Sequence, residues 1–291
     1  MEVKQGAKVT KGIIFAGCSF TWGQGLYYYS NLPTLKEPPP DAYNSNLLTN
    51  SHIRFMQSVR YPRIVANHFE TFECVYPGNG GSNEGAIEWW EESFASVAPG
   101  KNVNSFHVEG IDYKEISYVV FQLTQWQREH FILQDSKERH DIAFHQVGEP
   151  PLSDLFAKHL EEKNISLEEW LDAYKRKGLK NVKRFLMNCE ANGVKTLLFT
   201  WPPEYIDLIK EDEWLAERFI TFDYNGETYS SIHDLMDHDR WNPKRNSELT
   251  IKWDIENFEE TPKDHHPSLK CHQVMAENVI RRIESDMGKS I

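Results

Sequence analysis

Four short apolar runs, separated by segments of helical periodicity, constrain this chain most: Lys11–Gly17, Phe72–Tyr76, Tyr118–Thr124 and Val194–Trp201. They are rich in β-branched and aromatic residues, as strands buried on both faces are. Helical segments lie between and after them. Residues 60–69 carry Pro62 where a first turn accepts proline, and Glu84–Phe94 follows a glycine-rich turn. Leu179–Asn192 puts Val182, Phe185, Leu186 and Cys189 on one face, with Gly193 as a C-terminal cap. A last helix from about Leu269 to Ile283 aligns Leu269, Ala276, Val279 and Ile283 on one stripe. Strands alternating with helices predict an α/β chain whose mostly parallel sheet is covered on both faces. Such sheets bind ligands outside the carboxyl ends of their strands. The loops after Gly17, Tyr76, Thr124 and Trp201 therefore define the rim where chemistry is expected.

The 291 residues contain no internal repeat, low-complexity tract or clear linker, so one domain over 1–291 is expected. Three stretches read as insertions, at about 27–60, 127–175 and 204–260. Residues 30–60 read as a long loop, with Pro33, Pro38, Pro39 and Pro40 opposing regular structure in its first half. Residues 127–175 are polar and largely helical by pattern. Residues 204–260 are acidic and Trp-rich, a mixture of short helices with one strand near Phe219–Phe222.

Charge narrows the partners. With 32 Lys+Arg against 44 Asp+Glu the net charge is −12, which repels phosphate backbones and disfavours nucleic acid. The densest basic stretch (Lys175, Arg176, Lys177, Lys180, Lys183 and Arg184) reads as the solvated face of a helix. Aromatic residues make up 13% of the chain, which is read as core and loop packing ahead of a stacking platform for sugars or bases. Cys18, Cys74, Cys189 and Cys271 show no metal-like spacing and read as buried free thiols. No run approaches the ~20 apolar residues that span a bilayer. Phe15-Ala16-Gly17-Cys18 matches a lipoprotein cleavage box, but the apolar run before it is too short for a signal peptide. A cytoplasmic protein is expected.

Ser19 stands directly after the first apolar run, with Gly17 before it to allow a tight turn. A serine there offers its hydroxyl at the sheet rim as a nucleophile, or merely caps the helix that follows. The far end of the chain favours the first reading. In Asp264-His265-His266-Pro267-Ser268, His266 is a candidate base and Asp264 can orient its imidazole from the same short loop.

Gly17-Cys18-Ser19-Phe20-Thr21 with Gly23 resembles the first block of the SGNH (GDSL-like) hydrolases. Asn79-Gly80-Gly81-Ser82-Asn83 is similar to their glycine block, and Asp264-x-His266-Pro267 to their closing Asp/His block. The resemblance implies a flavodoxin-like, three-layer α/β/α fold and hydrolysis of an ester, often an acyl group on a sugar or lipid. It assigns Ser19 as nucleophile, His266 as base and Asp264 as its orienter, with no cofactor and no metal. It makes the N–H groups of Ser19 and Gly80 the oxyanion donors, with Gly81 the alternative one position on. Two departures stand out. Cys18 replaces the usual aspartate, and the asparagine of the third block is missing after Thr124. Gln125 can supply an amide donor in its place, and Arg128 can bind an anionic substrate group. Trp22, Asn83, Trp126 and Trp201, with Tyr27, lie near the expected rim as further substrate contacts.

A metal reading of Asp237-His238-Asp239 or His265-His266-His272 ranks lower, because a metal site needs three or four converging ligands. His272 reads as a structural hydrogen-bonding residue. Cys18 is not read as the nucleophile, since its side chain is expected to point away from that of Ser19. The expected activity is a serine esterase acting on a small-molecule or carbohydrate ester. Its rivals are a catalytically silent binding module and an acyltransferase using the same triad. The oligomeric state is not legible.

Overall fold

The computed structural model of the chain describes residues 11–23, 25–30, 50–76, 82–95, 110–125, 130–132, 139–141, 154–236, 247–251 and 266–288. Its centre is a four-stranded parallel sheet: β1 Gly12–Ala16, β2 Glu73–Val75, β3 Ile116–Leu123 and β6 Lys195–Thr200, in the order β2-β1-β3-β6. Each strand coincides with one of the four apolar runs. Phe15 pairs with Val75 on one side and Val120 on the other, and Phe121 pairs with Leu198.

Alternation along the strands divides the core in two, since successive side chains point to opposite faces. Ile13, Phe15, Val120, Leu197 and Phe199 pack on one face against α3 Tyr61–His68 and α10 Leu269–Gly288, through Val65, Val274, Met275, Val279 and Ile283. Ile14, Ala16, Val119, Phe121 and Leu198 pack on the other against α4 Asn83–Ala95 and α6 Leu167–Ala191, through Ile87, Trp90, Val182, Phe185 and Leu186. These side chains are essentially inaccessible, and burial of each Val, Leu, Ile, Met or Phe among them stabilises by about 1.5–3 kcal/mol. The result is an α/β arrangement with helices on both faces of a parallel sheet.

Local signals set several boundaries. Pro62 lies in the first turn of α3. Ser166 and Glu169 form a reciprocal capping box that starts α6, and Gly193 (φ 82°) ends it. There the Gly193 and Val194 N–H groups return to the Glu190 and Cys189 carbonyls at 2.9 and 3.0 Å, closing a Schellman motif. The basic face of α6 is partly paired, with Lys183 on Asp212 at 2.7 Å and Arg176 on Asp172 at 3.0 Å.

The structure differs from expectation in the intervening stretches. Asn50–Val59, inside the expected loop, is a helix (α2) whose Met56 is buried with Leu26, Tyr27 and Ile251. Within 127–175, the strands β4 His130–Ile132 and β5 Arg139–Asp141 pair antiparallel ahead of α5 Asp154–Lys163. After β6 come α7 Ile206–Glu211 and α8 Glu213–Arg218, then a hairpin of β7 Phe222–Tyr224 and β8 Glu227–Tyr229 turning at Asn225-Gly226, then α9 Ile232–Leu235. Among the described residues Phe219 forms an isolated parallel bridge to Leu198. Cys18, Cys189 and Cys271 are buried free thiols, and Cys74 is a half-buried one. Among the described residues no helix is long and apolar enough to cross a membrane.

Candidate active site

Strand order reverses between β1 and β3, because the chain moves outward to β2 before returning to the far side of β1. Loops leaving neighbouring strands at such a point diverge and open a crevice at their carboxyl ends. Ser19 is the first residue of the short helix α1 Ser19–Trp22, which follows β1 after Gly17 and Cys18. Its bonding begins with Trp22 N–H to Cys18 O at 3.0 Å and Gly23 N–H to Ser19 O at 2.9 Å, so the preceding amides have no acceptor within the helix.

His266 stands against this serine. Its Nε2 lies 3.0 Å from Ser19 Oγ, joining residues 247 positions apart. The strap carrying His266 is tied to the segment Glu248–Ile251. Its carbonyl accepts the Ile251 N–H at 3.0 Å, Pro267 bridges antiparallel to Thr250, and the Ser268 N–H reaches Leu249 O at 2.9 Å. Ser268 then caps α10, its hydroxyl accepting the Cys271 N–H at 3.2 Å and donating to Glu248 O at 2.5 Å. The Phe20 ring meets the imidazole edge-on at 5.2 Å between centroids and packs on Trp201 at 4.4 Å.

The other sequence-derived site residues are placed unevenly. Asp264, Gly80, Gly81, Trp126 and Arg128 lie outside the described residues, as do Asp237, His238, Asp239 and His265. Gln125 follows β3 on the same rim and is half-buried. Asn83, at the start of α4, spends its amide on the main chain. Its Nδ2 donates to Thr124 O at 3.2 Å, and its Oδ1 accepts the Thr124 N–H at 2.9 Å. Trp201 is nearly buried behind Phe20, and Trp22 packs against the cluster of Leu26, Tyr27, Met56 and Ile251. Tyr27 itself is buried. Among the described residues no three His, Cys, Asp or Glu side chains gather as a metal-binding set.

Sequence reading passed over the polar layer beneath Ser19. Thr21 Oγ1 donates to Gln122 Oε1 and lies 3.1 Å from Tyr61 OH, while Gln122 Nε2 donates to Cys18 Sγ at 3.4 Å. All of these side chains are buried. The one available clue was the glutamine interrupting the apolar run Ile116–Leu123. Burial pushes the Tyr61 phenol well above its ordinary range and keeps it protonated. His272 lies alongside, fully buried, and accepts the Tyr61 N–H on Nδ1 at 3.2 Å.

Comparison of the chain with protein-family models, with curated proteins and with solved structures finds no match.

Proposed function

We propose that the chain is an SGNH-type serine esterase in which Ser19 attacks an ester carbonyl and His266 accepts its proton. The observation that carries this reading is the 3.0 Å approach of His266 Nε2 to Ser19 Oγ, at the carboxyl end of β1. A hydroxyl within hydrogen-bond reach of an imidazole is the minimal unit of an activated serine. The strand order β2-β1-β3-β6 also supports the reading, since it follows the flavodoxin-like pattern that the resemblance implies.

The chemistry proceeds as acyl transfer through the enzyme. With Nδ1 protonated, Nε2 takes the hydroxyl proton as Oγ bonds to the carbonyl carbon. The Ser19 N–H and the glycine block, Gly80 or Gly81, serve as oxyanion donors, with Gln125 standing where the third-block asparagine is missing. His266 returns the proton to the departing alcohol. Water, deprotonated in turn by His266, then bonds to the acyl carbon, and the acid leaves as His266 returns that proton to Ser19 Oγ. Asp264 orients the imidazole, and the acyl group belongs to a small-molecule or carbohydrate ester.

Labelling with a fluorophosphonate probe tests the reading. Wild type is expected to label covalently, and Ser19→Ala and His266→Ala to lose labelling. Folded wild type that stays unlabelled across probe sizes and pH would remove the esterase and favour a silent binding module.

A further inference from the structure

We infer that Gln122, acting through Thr21 and Cys18, is a positioning residue that holds the Ser19 turn in register with His266. The inference rests on the esterase reading of Ser19. Gln122 is the polar residue near the end of β3, fully buried between apolar neighbours and paired in register with Phe199 of β6. A buried amide in such a place is strongly disfavoured unless both of its ends are bonded. Here both ends are used, and both reach the same turn. The carbonyl oxygen accepts from Thr21 Oγ1, two residues after Ser19, and the amide nitrogen donates to Cys18 Sγ, the residue before it. One side chain on a rigid central strand thus grips the nucleophile's turn from both flanks.

The directions of these bonds are mutually consistent. Gln122 Oε1 can only accept, so the Thr21 hydroxyl donates to it and has a lone pair left for Tyr61 OH at 3.1 Å. Tyr61 begins α3, and its main-chain N–H ends on His272 of α10, the helix whose entry strap carries His266. The network therefore links both reacting side chains to the sheet. The turn needs such ties. α1 is four residues long, and a helix that short has no stability of its own. The space is also committed, because a Cβ on Gly17 would fall on Thr21 Oγ1 and 2.8 Å from Gln122 Oε1.

The test uses Thr21→Val and Gln122→Met, which keep volume and remove the bonds, with Thr21→Ser restoring the hydroxyl. Fluorophosphonate labelling rate is followed against pH, and amide hydrogen exchange of residues 17–23 by mass spectrometry. Misplacing a reacting atom by about 1 Å can cost ~10²-fold, so labelling is expected to fall roughly 10–100-fold in both variants. Exchange should accelerate in residues 17–23 while β1 and β3 stay protected, the midpoint of the pH profile should not move, and Thr21→Ser should recover most of the rate. Native labelling or native exchange in Thr21→Val overturns the inference. A displaced pH midpoint overturns it as well, by placing the effect on the His266 proton. If Gln122→Met does not fold, Thr21→Val and Thr21→Ser decide the matter. If wild type never labels, the esterase reading fails separately. Exchange then judges the positioning: acceleration confined to residues 17–23 and reversed by Thr21→Ser supports it, and no change overturns it.

Discussion

His272 caps α3 from another helix, accepting the Tyr61 main-chain N–H on its Nδ1 at 3.2 Å while its ring stacks on the Tyr61 ring at 6.0 Å. Only a neutral imidazole accepts on Nδ1. Burial, with Arg60 and then His266 nearby, pushes the His272 pKa down to about 3. The folded chain therefore refuses a proton that the unfolded chain accepts near the ordinary histidine pKa of about 6.5. Stability from this group is complete above that value and falls with acidification down to about pH 3, at up to ~1.4 kcal/mol per pH unit. Urea unfolding across pH 4–8 should show a slope in wild type that is shallower in His272→Gln.

Asn83 ties the start of α4 to the end of β3 by bonding both main-chain groups of Thr124. Asn83→Ala leaves a buried N–H and a buried carbonyl without that partner, at a cost of roughly 2–4 kcal/mol. Denaturant unfolding measures it directly. An Asn83→Asp variant should recover part of the loss, because its carboxylate still accepts the Thr124 N–H but faces the Thr124 carbonyl without a donor.

Phe20 stands between His266 and Trp201. Phe20→Leu keeps most of the buried volume and should cost under about 1.5 kcal/mol, whereas Phe20→Ala opens a cavity worth about 3–5 kcal/mol. The imidazole loses its edge contact in both. Fluorophosphonate labelling is therefore expected to drop in Phe20→Leu by more than its thermal stability accounts for, when rate and Tm are measured on the same preparation.

Gly17 is needed for space, since any Cβ there meets Thr21 Oγ1 and Gln122 Oε1. Gly17→Ala should destabilise by about 1–3 kcal/mol, as overpacked cores do, and slow Ser19 labelling at least tenfold. Gly178→Ala is the control, because a Cβ there has open space in a helix interior. That change should stabilise by roughly 0.5–1 kcal/mol and leave labelling unchanged.

Much of the scaffold was legible because its signals are local. Buried parallel strands are continuous apolar runs, and Gly193 lies within a few residues of the helix end it closes. The sequence alone therefore determined the α/β alternation, the four sheet strands, the face of α6 that meets the sheet, and Ser19 and His266 as the pair to examine. Tertiary structure decided what depends on distant partners. Asn50–Val59 is helical because Met56 finds Leu26, Tyr27 and Ile251, and a polar stretch does not announce that burial. Asn83, read as a substrate contact, has its amide on Thr124, 41 residues away, and Thr21 meets Gln122 across 101. Hydrogen bonds of side chains obey no period along the chain. Their partners exist only once the sheet has packed, and that packing set Asn83 on Thr124 and Gln122 on Thr21 and Cys18.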